Sequence, residues 1–157
     1  MIVKEVINRW RIVDAMSEHT YILGDSRSME EIPDESVNLV VTSPPYWNLK
    51  DYGGGGDEIG RGDSSYQEYL EGLFAVFREC TRVLTPDGKI AINIMPIFLT
   101  GKATKFNRRV TKTVLSDLER FFEGLGNMFF LSLYIWDKRK IGRFSSWGSY
   151  PYPPNML

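Results

Sequence analysis

Along the 157-residue chain the spacing of apolar positions changes several times. Residues 37–42 form a run rich in β-branched side chains, the pattern of a buried strand, and Tyr21-Ile22-Leu23 reads as a shorter strand that stops at Gly24-Asp25. Residues 28–32 suit a short helix before Pro33-Asp34 turns the chain. Ser65-Tyr66-Gln67-Glu68 fits a capping box, and Leu70, Leu73, Phe74, Phe77, Cys80 and Leu84 then recur at helical spacing. This predicts an amphipathic helix of about five turns. Thr85-Pro86-Asp87-Gly88 predicts a turn, residues 89–95 a second buried strand, and residues 96–106 a basic loop. Val110, Val114, Leu118, Phe121, Phe122 and Leu125 mark a second helix ending within residues 124–127, and residues 128–136 read as a third apolar strand. Strand, helix, strand, helix, strand is the order of an α/β fold whose mostly parallel strands are joined by crossover helices.

Two segments fall outside that pattern. Residues 48–64 are polar and hold Gly53-Gly54-Gly55-Gly56, Gly60 and Gly62, which predicts a mobile loop, because glycine loses the most freedom on ordering. The loop lacks the lysine and hydroxyl of a phosphate-binding loop. Residues 137–157 are basic and then dense in Gly, Pro, Tyr and Trp. A parallel sheet of three or four strands leaves exposed edges and uncovered faces, so the single domain expected over residues 1–157 reads as incomplete.

A hydrophobic content of 43% and an aromatic content of 13% place the chain among globular proteins. No apolar stretch approaches the length of a membrane span and the N-terminus does not resemble a secretory signal, so a soluble, cytoplasmic protein is expected. A lone Cys80 on an apolar helix face is expected to be a core residue, and a lone His19 rules out a histidine metal cluster, so no metal is expected. The net charge of −1 conceals a division: residues 1–88 carry 8 Lys and Arg against 16 Asp and Glu, whereas residues 89–157 carry 11 against 4. Lys102, Lys105, Arg108, Arg109 and Lys112, and then Lys138, Arg139, Lys140 and Arg143, concentrate the positive charge. Such runs suit phosphate binding as well as an ordinary solvated surface.

Ser43-Pro44-Pro45-Tyr46 directly follows the strand expected at residues 37–42. Neither proline has an N–H to donate, so the ladder ends there and the chain turns. Each proline also holds the preceding residue extended, which leaves the Ser43 and Pro44 carbonyls outward and unpaired at the strand's carboxyl end, the edge of an open α/β sheet where ligands bind. A hydroxyl, fixed carbonyls and an aromatic face suit a planar base with an exocyclic amino group. A plain strand-terminating turn is the alternative.

Thr42-Ser43-Pro44-Pro45-Tyr46-Trp47, the preceding Gly24-Asp25 and residues 33–37, the Leu84 to Lys89 turn, Tyr134-Ile135-Trp136-Asp137-Lys138 and Gly148-Ser149-Tyr150-Pro151 together resemble the amino-methyltransferases of DNA, in the permuted arrangement with the catalytic motif first. The resemblance implies a Rossmann-like methyltransferase sheet, S-adenosylmethionine as cofactor and double-stranded DNA as partner. It implies that the target base is flipped from the duplex, that Ser43 and Pro44 accept from its amino group, that Pro45 fixes the turn and that Tyr46 stacks on the ring. Gly24 and Asp25 would meet the cofactor adenine, and the two basic runs would meet DNA. Serine at the first position, where many adenine-modifying members carry aspartate, favours cytosine N4 over adenine N6. The family's Asp-Pro-Phe-x-Gly-Ser-Gly loop is absent from the 157 residues, so the chain is expected to bind the cofactor weakly or not at all and not to turn over alone, as one half of a split enzyme with a complementing polypeptide that carries the loop, a truncated chain or a degenerate gene product. A DNA-binding or regulatory remnant is the second reading. A glutamine-directed protein methyltransferase is a third, disfavoured by Ser43 and the basic second half.

Overall fold

The computed structural model describes residues 2–6, 9–13, 17–49, 53, 58–61, 63–99, 107–136 and 155–156, with the first two stretches and the last described by backbone alone. Strands β1 (Ile2–Val6), β2 (Arg9–Val13) and β3 (Glu18–Ile22) form an antiparallel sheet in chain order. β4 (Val37–Thr42) leads through a long connection to helix α1 (Tyr66–Val83), which returns the chain to β5 (Leu84–Ile92), paired parallel with β4. β6 (Ile97–Leu99) and β7 (Val110–Lys112) form an antiparallel pair, α2 (Val114–Leu125) follows, and β8 (Ile135–Trp136) pairs antiparallel with β9 (Asn155–Met156). The fold is α/β, and β4, α1 and β5 make its parallel crossover unit.

Helix α1 forms where the sequence places it. The Ser65 hydroxyl accepts from the Glu68 backbone N–H while the Glu68 carboxylate accepts from the Ser65 N–H, satisfying two donors that the first turn leaves open. Its inner face buries Tyr69, Leu70, Leu73, Phe77 and Cys80 with Ile94, Ile97, Leu99, Val114 and Leu118. Phe74 stacks on Phe121 at 4.4 Å and Phe77 meets Phe122 edge-on at 5.4 Å, which seats α2 against α1. Cys80 is a core residue, its thiol pushed up by burial. Gly126, with φ of 77°, closes α2 in the left-handed conformation that glycine adopts without strain.

Several expectations change. Residues 28–32 are successive turns, closed by Ser28 N–H to Asp25 O (3.0 Å) and Ile32 N–H to Met29 O (2.9 Å), because so short a segment cannot offset helix nucleation. The Thr85 to Gly88 turn is absorbed into β5 as an irregularity: Val37 faces Leu84 and Leu39 faces Lys89, so Asn38 alone stands opposite four residues. Pro86 has no N–H for a regular rung, and a Cβ on Gly88 would lie 2.7 Å from Leu84 Cδ2. The stretch expected as a basic loop contains β6, and Val110 belongs to β7, so α2 starts only at Val114. Among the described residues β4 and β5 are the parallel pair and every other pairing is antiparallel, so the mostly parallel sheet is seen here as one crossover.

The third strand shrinks to Ile135 and Trp136, and residues 128–134 carry no ladder. Phe129 is 80% exposed and Leu131 72%. An apolar run becomes a buried strand only where a neighbour supplies its hydrogen bonds.

The approach to β4 is held by the far end of α1. Arg82 donates to Glu79, to Asp34 and to the carbonyls of Met29 (2.9 Å) and Ile32 (3.1 Å), while Glu79 Oε2 accepts from the Met29 N–H at 2.8 Å. Glu35, at φ of 50°, and Ser36 donate their backbone N–H groups to Arg82 O and Val83 O. Hydrogen bonds from Arg82 and from Met29 N–H bring the Glu79 carboxyl down from 4.5 to about 2. A depressed acid stabilises the fold fully above its unfolded value, and that contribution is lost as pH falls through the folded one. The stability gap between the wild type and Glu79→Gln is therefore expected to be constant above pH 4.5 and to close between 4.5 and 2 in urea titrations; a gap unchanged across that window rejects Glu79 as the titrating group.

Candidate active site

The chain leaves β4 at Thr42, whose carbonyl accepts from Asn93 N–H at 2.8 Å, and turns through Ser43-Pro44-Pro45-Tyr46 at the carboxyl end of the parallel pair. Ser43 is exposed, Pro44 is buried, and Pro45 and Tyr46 are half-buried. Both prolines are trans. Among the described residues nothing donates to the Ser43 or Pro44 carbonyls, as the double-proline constraint predicts. The Pro45 carbonyl, by contrast, accepts from the Tyr69 hydroxyl at 2.9 Å. Tyr46 and Trp47 pack against the core cluster, so the Tyr46 ring is partly committed to the protein.

Behind the corner stands an aromatic wall. Trp47 lies 5.1 Å from Tyr66, and Tyr66 lies 5.9 Å from Tyr69. The Tyr66 hydroxyl donates to Asp117 Oδ2 at 2.6 Å, so burial and the neighbouring carboxylate hold this phenol well above its usual range, and Lys112 Nζ sits 4.6 Å over the ring. Trp47 Nε1–H donates to Ser64 O at 2.9 Å and Asn48 N–H to Gly60 O at 3.0 Å, which ties the described far end of residues 48–64 to the corner. Gly60 is required there: its φ is 87°, and a Cβ would lie 3.2 Å from Tyr69 Cδ2 and 3.3 Å from Trp47 Cα.

Asp25 accepts from the Arg27 backbone N–H at 2.9 Å and, through both oxygens, from the Arg27 guanidinium, which lowers its pKa. Arg27 in turn lines a cavity of roughly 200 Å³ with Glu58, Gly60, Ser64, Glu68 and Tyr69. Tyr69 and Gly60 thus bring the Gly24-Asp25 side and the proline corner to neighbouring places, although none of the four corner residues lines that cavity. Ligand pockets commonly measure about 300–1,000 Å³, and this cavity is smaller than that. Gly24 has open space where a Cβ would be, so packing does not demand a glycine there.

Arg108 and Arg109 are exposed immediately before β7. Lys102, Lys105, Lys138, Arg139, Lys140 and Arg143 lie outside the described residues. Among the described residues no group of acidic, histidine and cysteine side chains could hold a metal, and no helix is long and apolar enough to cross a membrane. Nothing in the sequence marks Tyr69 or Asn93 as site residues, and Gly60 enters there only as one glycine of a polar loop. Tyr66 and Tyr69, one turn apart at the head of a predicted helix, were the available signal for the wall; nothing in a polar loop marks Gly60 as the position with positive φ.

The DNA methylase family model matches residues 37–155, from the start of β4 through the proline corner and α1 to β9. The chain belongs to the DNA methylase family. It is similar to the type II methyltransferase M.SmaI of Serratia marcescens, at 40% identity over 84 residues, covering 53% of this chain and 28% of that one. It is 26% identical to the type II methyltransferase M.MjaVI of Methanocaldococcus jannaschii over 145 residues, covering 92% and 66%. Among solved structures, TTHA0409 of Thermus thermophilus, which carries the name DNA modification methylase and was crystallised with S-adenosyl-L-methionine, superposes with a TM-score of 0.61 at 28% identity, covering 85% of this chain and 51% of that one. The chain thus spans from about a quarter to two thirds of the length of these relatives.

Replacing Tyr69 by Phe leaves the half-buried Pro45 carbonyl without its donor. A loss of about 0.5–1.5 kcal/mol in urea-derived stability is expected, and an unchanged midpoint would show that the bond does not hold the corner.

Proposed function

We propose that this chain is the catalytic, base-binding portion of a DNA methyltransferase, moving a methyl group from S-adenosylmethionine to the exocyclic amine of a flipped base, with cytosine N4 preferred to adenine N6. The observation that carries the reading is the exposed Ser43 hydroxyl beside a rigid corner with open carbonyls, set at the carboxyl end of the parallel pair. The family match supports it, as do relatives named as methyltransferases.

The Ser43 hydroxyl and the Pro44 carbonyl each accept one N–H of the amine, which draws the nitrogen lone pair out of conjugation with the ring and aims it along the line of attack. Pro45 keeps that carbonyl fixed, and Tyr69 keeps Pro45 fixed. Tyr46, half-buried beside the corner, stacks on the base. When bound, the cofactor supplies an electrophilic methyl group on a sulfonium; the chain's own contribution is positioning and electrostatics. Ser43 need not be a strong base, since the methylated amino cation sheds its proton readily.

Gly24 and Asp25 hold the cofactor's adenine end, with Asp25 accepting from the adenine amine after yielding part of its bond to Arg27. That exchange costs little, because Asp25 is 52% exposed and surface ion pairs are weak. The methionine end needs a glycine-rich loop that these 157 residues lack. The reaction therefore belongs to this chain together with a segment supplying that loop, within the same polypeptide or a complementing one, and without it cofactor binding is weak and turnover absent. Arg108, Arg109 and the basic runs of the second half meet the duplex phosphates.

Methyl transfer from labelled S-adenosylmethionine to duplex DNA, measured with and without a polypeptide carrying the glycine-rich loop, tests this directly. Transfer in its presence is expected, with N4-methylcytosine as product by mass spectrometry; no transfer in any combination overturns the proposal. Ser43→Ala is expected to lower kcat about 100-fold, the scale of losing one preorganised polar contact to the reacting group. Replacing Arg108 and Arg109 by Ala should flatten the dependence of log K for duplex binding on log salt by about 1 per arginine, and an unchanged slope removes them from the DNA surface.

A further inference from the structure

We propose that Asn93 is a positioning residue acting through Ser43: with a base bound, its side-chain Oδ1 accepts the Ser43 hydroxyl proton and so turns the Ser43 lone pairs onto the base's amino group. The inference rests on the role given to Ser43 above.

Two unsatisfied groups lie on adjacent strands. Thr42 and Ile92 are the last paired residues of β4 and β5, and Asn93 N–H closes that rung on Thr42 O at 2.8 Å. Ser43 and Asn93 are the next residue on each strand, and neighbouring strands run about 4.8 Å apart. They also share a face. Val40, Thr42, Ile90 and Ile92 are partly buried toward the core, whereas Val41 and Ala91 are exposed, and Ser43 and Asn93 follow Val41 and Ala91 in phase. Asn93 Oδ1 is buried without a hydrogen-bond partner. Among the described residues the Ser43 hydroxyl makes no hydrogen bond either.

A hydroxyl has one proton and two lone pairs. To accept from an amine it must send its own proton elsewhere; otherwise the O–H points at the amine's hydrogens and repels them. Asn93 Oδ1 is a buried acceptor lacking a donor, one residue past the last paired position of the neighbouring strand. Donation to it would also polarise the Ser43 oxygen and make it a better acceptor. A buried acceptor left open in the free protein costs stability, which fits a group whose partner, the Ser43 hydroxyl, turns to it only when a base is bound.

Asn93→Leu, branched at Cγ like asparagine but apolar, separates this role from a structural one. For the chain alone its Tm is expected to be no lower than wild type, because Oδ1 has no bond to lose. In methyl transfer with the glycine-loop segment, kcat is expected to fall about tenfold with the KM for DNA unchanged, and Asn93→Asp, which keeps the acceptor, to retain most of the rate. In a Ser43→Ala background Asn93→Leu is expected to add nothing. A lowered Tm, a wild-type kcat, or a full tenfold loss on top of Ser43→Ala overturns the inference. Absence of transfer by the wild-type chain with that segment removes the reading of Ser43 and this inference with it, whereas wild-type transfer with Asn93→Leu at full rate removes this inference alone.

Discussion

The hydrogen bond from the Tyr69 hydroxyl to the Pro45 carbonyl joins the first turn of α1 to the corner that follows β4. Tyr69 is buried at the head of the helix's apolar face, and its ring also backs Gly60, where only a residue without a Cβ fits. Two prolines make the corner stiff, but stiffness alone does not place it. The buried tyrosine does, because a rotamer locked by core packing fixes the hydroxyl that the carbonyl must meet.

The opposite end of the same helix holds the opposite end of the same strand. Arg82 and Glu79, in the last turn and a half of α1, gather the carbonyls and N–H groups of the turns ahead of β4, and the helix's final carbonyls accept from Glu35 and Ser36. β4 is thus fixed at its start by a charged clamp and at its exit by a phenolic hydrogen bond, both mounted on one rigid element. The buried face of α1 supplies the cohesion between them. A corner mounted this way is held in one geometry from both ends of the strand before it, the condition under which fixed dipoles act most strongly.

Family membership and partial coverage are two sides of one physical situation. The matched region carries the corner and its helix, while the relatives run to about twice the length of this chain. The cavity beside Tyr69 is small, the outward face of β4 leaves Leu39 and Val41 open, and residues 129–136 expose aromatic and branched side chains. The described residues form a firmly built corner within a less finished surround.

Local chemistry made the corner, the helix and its cap legible. Consecutive prolines forbid a ladder in any context, Ser-x-x-Glu ahead of an apolar stripe satisfies its own backbone donors, and Gly126 ends a helix by its conformational freedom alone. Cys80 as a core residue followed from periodicity for the same reason. Where the outcome needed a partner distant in sequence, tertiary structure decided. Val110 fits a helical stripe but pairs with Leu99, residues 128–134 have a strand's composition but no neighbour to supply a ladder, and the Thr85 to Gly88 turn became a bulge because β4 runs alongside it. The sequence by itself determined that a rigid, aromatic-flanked corner would end a strand. That Tyr69, Gly60 and Asn93 would be the residues around it was settled only by packing, since each owes its role to an atom more than ten residues away.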